Sequence, residues 1–324
     1  MFVAAPTARE RPPSPHSPPR VEHNSSVVNV GYVGHRGTPA KIAARTMFPL
    51  LQIGPSTATT CIESLGFVHA VDAMDSLINL ELDYCVEPTT WLLTIRPDFS
   101  LTAFTARPLS IVGEIALTLD LCLCALPGSA LSACDCVMSD TALLHASEAL
   151  IIKLEHERGG PIVRQAAWDS AGACHIVHEQ AAHDIAVLAS KDAARDAGLD
   201  VIAEHFGADV PNELQYLILA RRHAWPLQPH ADCPLRKVTL LASLYNNSAW
   251  LSAVTQALDD ADAHVADIQT RLVMPSFDRA PEHQMLVTFV TAADAPPQRL
   301  QQRLRDLSTS LRMLGMYFSI ACAS

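Results

Sequence analysis

The sequence predicts an α/β protein: a parallel-sheet region over residues 27–220, then a ferredoxin-like module over 237–324. Three observations lead there. Apolar strand-like runs alternate with helical stretches from Val27 to about Leu219, the pattern of a parallel sheet with ligands at its strand ends. After a proline-bearing linker, residues 221–236, the order of elements changes to βαββαβ. Hydrophobic residues make up 49% of 324 residues against 18% charged, enough to bury a core in two units.

The elements follow in order. Residues 1–26 carry six prolines among Ser, Arg and Glu, without a long apolar run, and are expected to form a disordered or polyproline-like tail. Val27–Val33 reads as a buried strand and Ala40–Met47 as a helix. A short strand covers Tyr84–Val86 and ends at Pro88. Val112–Cys124 reads as one long strand. Ser139 or Asp140 offers an oxygen to the orphan N–H groups of the next helix, along which Leu143, Ala146, Leu150 and Leu154 recur at helical spacing. Ser170–His183 suits a helix, Ile185–Ser190 a strand, Asp192–Ala197 a helix stopped by Gly198, and Leu214–Leu219 a strand. Beyond the linker come a strand at Val238–Leu244, a helix at Ser248–Asp260, and strands at His264–Leu272 and Met285–Thr291. A second helix is marked by Leu300, Leu304, Leu307 and Leu311, and Met313–Ile320 is the last strand.

Charge and cysteine content narrow the function. Lys+Arg 23 against Asp+Glu 34 gives −11, which argues against nucleic acid or an anionic membrane as partner while leaving room for a small anion in a local pocket. No run is long and apolar enough for a membrane span. The C-x-C pairs Cys122/Cys124 and Cys134/Cys136 lie in or beside apolar stretches, and read as buried structural thiols more readily than as a metal grip. Free thiols imply a reducing compartment, so a cytoplasmic location is expected.

Two motifs fail on geometry. His178 and His183 are five residues apart, so on a helix they sit roughly 140° from one another and cannot share a metal. Gly31-x-x-Gly34-x-x-Gly37 follows a strand but lacks the G-x-G core of a dinucleotide turn. What survives there is an anion-friendly loop: backbone N–H groups at a helix start, the Arg36 guanidinium and the Thr38 hydroxyl.

The order of motifs resembles the prephenate dehydratases that carry a C-terminal ACT domain, from about Val30 to Ile320. Gly31-Tyr32-Val33-Gly34-His35-Arg36-Gly37-Thr38 is similar to the family's G-Y-x-G-x-x-G-S opening. Asp83-Tyr84-Cys85-Val86-Glu87-Pro88 is similar to D-Y-G-V-x-P, and Ile111-Val112-Gly113-Glu114-Ile115 to I-x-G-E-V. Val137-Met138-Ser139-Asp140 stands where the family has V-x-S-H, and Ser170-Ala171 where it has T-A. The run from Ala186 to Ala194, with Gly198-Leu199, looks like A-I-A-S-x-x-A-A-x-x-Y-G-L. The resemblance implies two α/β lobes around a cleft, like a periplasmic binding protein, plus an ACT module. It implies no metal or organic cofactor.

Departures from the family pattern shape the expected chemistry. Thr89-Thr90-Trp91 stand in place of E-N-S after the Pro88 strand. The N-x-T-R-F signature, whose threonine is taken as catalytic, appears as Asn212-Glu213-Leu214-Gln215-Tyr216. Leucine donates no hydrogen bond, and hydroxide leaves poorly without a donor or an acid. The resemblance, with that change, points to a prephenate decarboxylase of secondary metabolism that releases CO₂ and keeps the ring hydroxyl, forming a dihydro-hydroxyphenylpyruvate. The alternatives are a divergent prephenate dehydratase of phenylalanine biosynthesis and a catalytically inactive, ligand-binding relative. On either catalytic reading Thr89, Thr90, Gln215 and Tyr216 are the candidate catalytic residues, with Tyr216 orienting the substrate or delivering a proton. Arg36, Thr38, Ser139, Ser170 and Asn212 are the candidate substrate contacts. For Thr89 and Thr90 the plain alternative is a strand end, for Ser170 a helix cap. Asp140, a poor anion binder, is expected to cap.

The C-terminal module departs as well. Where the ACT modules of this family have P-G-A-L and E-S-R-P around a phenylalanine site, this chain has Asn247-Ser248-Ala249-Trp250 and Gln269-Thr270-Arg271-Leu272. Ser248 and Trp250 close the space a ligand needs, so Ser248, Trp250, Gln269 and Thr270 mark a degenerate regulatory site and insensitivity to phenylalanine is expected. A homodimer through this module is expected, because its sheet edges and helix faces still need partners.

Overall fold

The computed structural model describes residues 27–34, 37–47, 51–53, 61–89, 104–118, 120–204, 213–222, 227–229, 236–244, 250–261, 263–273, 282–291 and 298–323. The expected N-terminal tail lies outside the described residues, as does most of the expected linker.

The first lobe opens with β1 (Val27–Val33), α1 (Pro39–Met47), β2 (Leu51–Ile53), β3 (Cys61–Phe67), α2 (Ala70–Ile78) and β4 (Tyr84–Pro88). Strand β1 pairs in parallel with β3 and with β4. The chain then forms β5 (Leu109–Thr118) and crosses to a second lobe through β6 (Leu121–Ala125). That lobe continues as β7 (Cys136–Ser139), α3 (Thr141–Ala146), α4 (Glu148–Arg158), β8 (Val163–Ala166), α5 (Ser170–Gln180), β9 (Ile185–Ser190), α6 (Lys191–Asp196) and β10 (Asp200–Ala203). Its sheet runs β10-β6-β9-β7-β8. The chain returns as β11 (Glu213–Arg221), which lies antiparallel between β4 and β5. One apolar cluster runs from Val30 and Tyr84 in the first lobe through Ile115 and Leu121 to Val137 and Leu188 in the second, so the crossing itself is core.

After β12 (Leu227–Pro229), paired with β2, come β13 (Arg236–Leu244), α7 (Trp250–Asp259), β14 (His264–Val273), β15 (Glu282–Thr291), α8 (Gln298–Asp306), β16 (Ser308–Tyr317) and β17 (Ser319–Ala323). The order β14-β15-β13-β16 is the ferredoxin-like arrangement the sequence predicts. Val238, Leu240, Met285, Val287 and Phe289 on one face of that sheet share a core with Val254 and Leu258 of α7 and Leu300 and Leu304 of α8. This sheet is not separate from the first lobe: β16 touches β5 at Gly315 and β17 pairs with β5 in parallel along its length.

Several expectations need correction. Val112–Cys124 is two strands in different sheets, because the apolar pattern continues through the crossing near Asp120. The helix after Asp140 breaks at Ser147, whose N–H returns to the Leu143 carbonyl. The α5 helix ends at Gln180, with Ala181 left-handed at φ 49°, so His183 lies beyond it and its Nδ1 meets Ser129 Oγ at 3.0 Å. Leu311 belongs to β16 rather than α8, and the last strand is split at Phe318. Strands β2, β3, β7, β8, β10 and β12 and helix α2 are additional.

Candidate functional site

The site is assembled from strand ends and helix starts that face each other across the two lobes. Thr38 ends the loop after β1, and its carbonyl accepts the Ile42 N–H at 3.1 Å, the first bond of α1. Pro39 behind it occupies the helix position where a missing N–H costs nothing. The turn reaches the other lobe: Ser190 Oγ donates to the Gly37 carbonyl at 3.2 Å while also capping α6 through the Ala193 N–H. Gly37 has φ +88°, and a Cβ there would stand 2.8 Å from Ala193 Cα, so both the turn and the close approach require glycine. Arg45 and Asp192 add a 3.3 Å ion pair across the same junction, largely exposed and therefore weak.

Strands β4 and β11 bring the next residues together. Pro88 is paired with Tyr216, and the Thr89 hydroxyl donates to the Gln215 carbonyl at 3.1 Å. Strand alternation divides β11 into two faces. Tyr216 and Ile218 enter the cluster shared by the lobes, and Leu214 packs on that same cluster, so Leu214 faces this shared core as an apolar residue. Tyr216 is buried; its pKa is raised, first by burial and then by the Asp140 carboxylate of the second lobe. Its phenol therefore stays protonated and holds that proton more tightly than a free tyrosine.

From the second lobe, β7 ends at Ser139 and α3 starts at Asp140. Asp140 is the cap, its carboxylate accepting the Leu143 N–H at 2.9 Å, as expected. Ser139 is fully buried and its hydroxyl donates to the Leu188 carbonyl at 2.6 Å, which occupies the proton it would offer a ligand. Ser170 is buried in the first turn of α5, but Asp169 caps that helix by accepting the Gly172 N–H. The three second-lobe helices that start near these strand ends thus have caps of their own, two of them carboxylates.

The structure brings Thr38, Thr89, Gln215, Tyr216 and Ser139 to the ends of the strands of the two lobes. Arg36, Thr90, Asn212 and Ser248 lie outside the described residues, and Trp250 is the first residue of α7. Gln269 and Thr270 lie far from this group on β14, the outer strand of the C-terminal sheet, where Gln269 Nε2 donates to Asp267 at 2.9 Å. Among the described residues no group of three or more His, Cys, Asp or Glu side chains could hold a metal.

One ionisable residue escapes the sequence reading. Glu87 sits inside β4, 1% exposed, with Oε1 accepting from the Cys85 thiol at 3.2 Å and Oε2 without a partner among the described residues. Burial raises its pKa to about 7. It shares the face of Cys85 and of Leu217, with which it is paired on β11, and so points away from Leu214 and the core shared by the lobes. The available signal was a charge inside an apolar strand, Tyr84-Cys85-Val86-Glu87-Pro88.

Comparisons with known proteins bear on the family and the fold. The chain is 28% identical over 303 residues to arogenate dehydratase/prephenate dehydratase 2, chloroplastic, of Arabidopsis thaliana, covering 91% of this chain and 74% of the relative. It is 28% identical over 306 residues to arogenate dehydratase 2 of Petunia hybrida, covering 90% and 72%. The fold matches a prephenate dehydratase from Arthrobacter aurescens solved with L-Phe, at a TM-score of 0.71, 18% identity and 90% coverage of each chain. It also matches GqqA, described as a novel type of quorum quenching acylase, at 0.69 and 21%, covering 89% of this chain and 97% of that one. The family model for prephenate dehydratase spans residues 30–224, from the first strand through the returning strand β11, and the chain belongs to that family.

Proposed function

We propose that the protein is a lyase acting on prephenate or its amino counterpart arogenate, in which the ring carboxylate leaves as CO₂. The observation that carries this reading is the family match over residues 30–224, which takes in the loop at Gly37 and Thr38 and the strand at Gln215 and Tyr216. The relatives, named as arogenate and prephenate dehydratases, favour dehydration: the electrons released with CO₂ expel the ring hydroxyl as water and the ring becomes aromatic, a step of phenylalanine biosynthesis.

A second reading rests on one specific observation. Leu214 packs on the apolar cluster shared by the lobes, at the position where the resemblance places a hydroxyl-bearing threonine. Where the departing hydroxyl lacks the donor that a threonine at position 214 would supply, the same electrons are captured by a proton at a ring carbon, and the product is a non-aromatic dihydro-hydroxyphenylpyruvate. That outcome belongs to secondary metabolism.

In both readings Thr38 and the neighbouring backbone N–H groups hold one carboxylate, with Arg36 as its ionic partner. Thr89, Thr90 and Gln215 face the ring hydroxyl, and Tyr216, Ser139, Ser170 and Asn212 shape the remainder. We place the enzyme in a reducing compartment, the cytoplasm, because all seven described cysteines are free. We assign the C-terminal βαββαβ unit as an ACT-like module that pairs subunits. Incubation with prephenate and with arogenate, followed by ultraviolet absorbance and mass spectrometry, tests the reading. Phenylpyruvate or phenylalanine supports dehydration, a product retaining the hydroxyl supports decarboxylation alone, and inertness toward both substrates refutes the proposal.

A further inference from the structure

The first lobe and the C-terminal module are joined by a buried charged contact that the proposed chemistry does not use. Strand β17 continues β16 but leaves the C-terminal sheet and pairs with β5, aligning Ser319 with Glu114, Ile320 with Ile115 and Cys322 with Leu117. On the other edge of β5, Ile115 is paired with Tyr216 and Leu117 with Leu214. The last strand therefore lies two strands, roughly 10 Å, from the strand that carries the family signature.

The crossing point is built for close approach. A Cβ at Gly315 would overlap the Ile111 carbonyl and stand 2.8 Å from Ile111 Cβ. One turn of pairing later the Glu114 N–H donates to the Phe318 carbonyl at 3.0 Å. The Glu114 side chain is almost fully buried, and its Oε1 accepts the Ser319 hydroxyl at 2.8 Å and pairs with the Lys237 ammonium at the start of β13. Arg236, beside Lys237, stacks its guanidinium over the Phe318 ring at 4.9 Å. Both ends of the C-terminal module, its first strand and its last, thus converge on one carboxylate of the first lobe.

We propose that Glu114 is a positioning residue: its contacts with Lys237 and Ser319 latch β17 onto β5, and through β5 the C-terminal module sets the geometry of β11 at the candidate site. Glu114 shares a face with its pair partner Leu217, opposite Leu214 and Tyr216, so it acts through the backbone of the sheet and touches no substrate. A buried carboxylate that loses its cation is left uncompensated, whereas removing both charges together leaves no such defect. The latch therefore predicts a non-additive double substitution.

Hydrogen–deuterium exchange of the full chain tests this without any substrate. In Lys237→Met, amides of both residues 319–323 and residues 213–221 are expected to exchange at least tenfold faster, with residues 121–190 of the second lobe unchanged as an internal control. Adding Glu114→Gln to Lys237→Met is expected to return both segments to within about threefold of the parent. Should Lys237→Met accelerate every segment, Ser319→Ala is the milder variant, expected to speed both segments severalfold. Parental exchange in Lys237→Met, acceleration confined to 319–323, or failure of the double variant to recover each overturns the latch. The consequence for turnover rests on the proposed function. With prephenate, Lys237→Met is expected to lower kcat at least fivefold with KM within twofold, and Lys237→Arg to restore kcat. A parent inert toward prephenate refutes the function and leaves the exchange result to decide the latch.

Discussion

Glu87→Gln isolates a single buried carboxyl and yields a signed pH dependence. Among the described residues, Glu87 is 1% exposed with one oxygen unpartnered and the other accepting a thiol hydrogen bond. Burial raises its pKa from 4.5 to about 7, while the Cys85 contact opposes that weakly. The neutral form is favoured by the fold, so between those two values the native state binds more protons than the unfolded chain. Stability is then fully present below pH 4.5, falls as pH rises, and stops falling once pH passes about 7, where both states are ionised. At ~1.4 kcal/mol per pH unit across that window the loss is about 3 kcal/mol. Urea unfolding of the parent and of Glu87→Gln at pH 5 and pH 8 measures it. The parent should lose about 3 kcal/mol more than the variant between the two conditions, since glutamine keeps an oxygen for Cys85 and carries no charge. Parallel pH profiles, or a parent that gains stability relative to the variant at pH 8, would refute the assignment of a buried neutral acid.

Four further outcomes follow from the site. Leu214→Thr restores the hydroxyl that the family pattern has at this position and should raise the ratio of phenylpyruvate to non-aromatic product at least tenfold, at a stability cost of about 1–2 kcal/mol for lost apolar burial; an unchanged ratio by mass spectrometry counts against the second reading. Gly37→Ala forces a Cβ against Ala193 at a positive φ, and thermal unfolding should show a loss of about 1–3 kcal/mol together with weaker prephenate use. Asp140→Ala removes the α3 cap and should cost about 1 kcal/mol, with Asp140→Asn retaining most of it. Arg36→Ala should weaken prephenate use by about 2–3 kcal/mol and Arg36→Lys should recover part, whereas unchanged kinetics in a folded variant removes Arg36 from the site.

Much of this architecture is legible from apolar spacing alone. The βαββαβ module and the strands around Val30, Leu188 and Ile218 declare themselves, because buried strands are short apolar runs between turn residues. Other features leave no such mark. Thr118 and Leu121 bracket a change of sheet, yet the surrounding pattern stays apolar, so one strand was expected where there are two. Strand β3 is an edge strand with Glu63, Ser64 and Leu65 exposed, so its sequence lacks the usual alternation of buried and exposed positions. Leu311 keeps helical phase with Leu300 and Leu304 while belonging to β16. At the site, motif order points to Thr38, Thr89 and Tyr216. What it does not reveal is that Ser139 is occupied by the Leu188 carbonyl, or that Tyr216 lies under the field of Asp140, because both depend on contacts between distant segments.

The way β11 and β17 enter the first lobe bears on how the protein is made. The second lobe is one uninterrupted stretch, β6 to β10, so it has all its partners as soon as that stretch leaves the ribosome. The first-lobe sheet does not: β5 waits for β11 on one edge and for β17 on the other, and the Glu114–Ser319 contact spans 205 residues. During synthesis, at about 5–20 residues per second, β5 emerges with both edges open; β11 arrives first, and the other edge waits roughly ten seconds or more for its last neighbour. Pairings that distant are slow to form and leave strand edges open to other chains in the meantime. A chain truncated before β17 should therefore show its defect first as aggregation during expression.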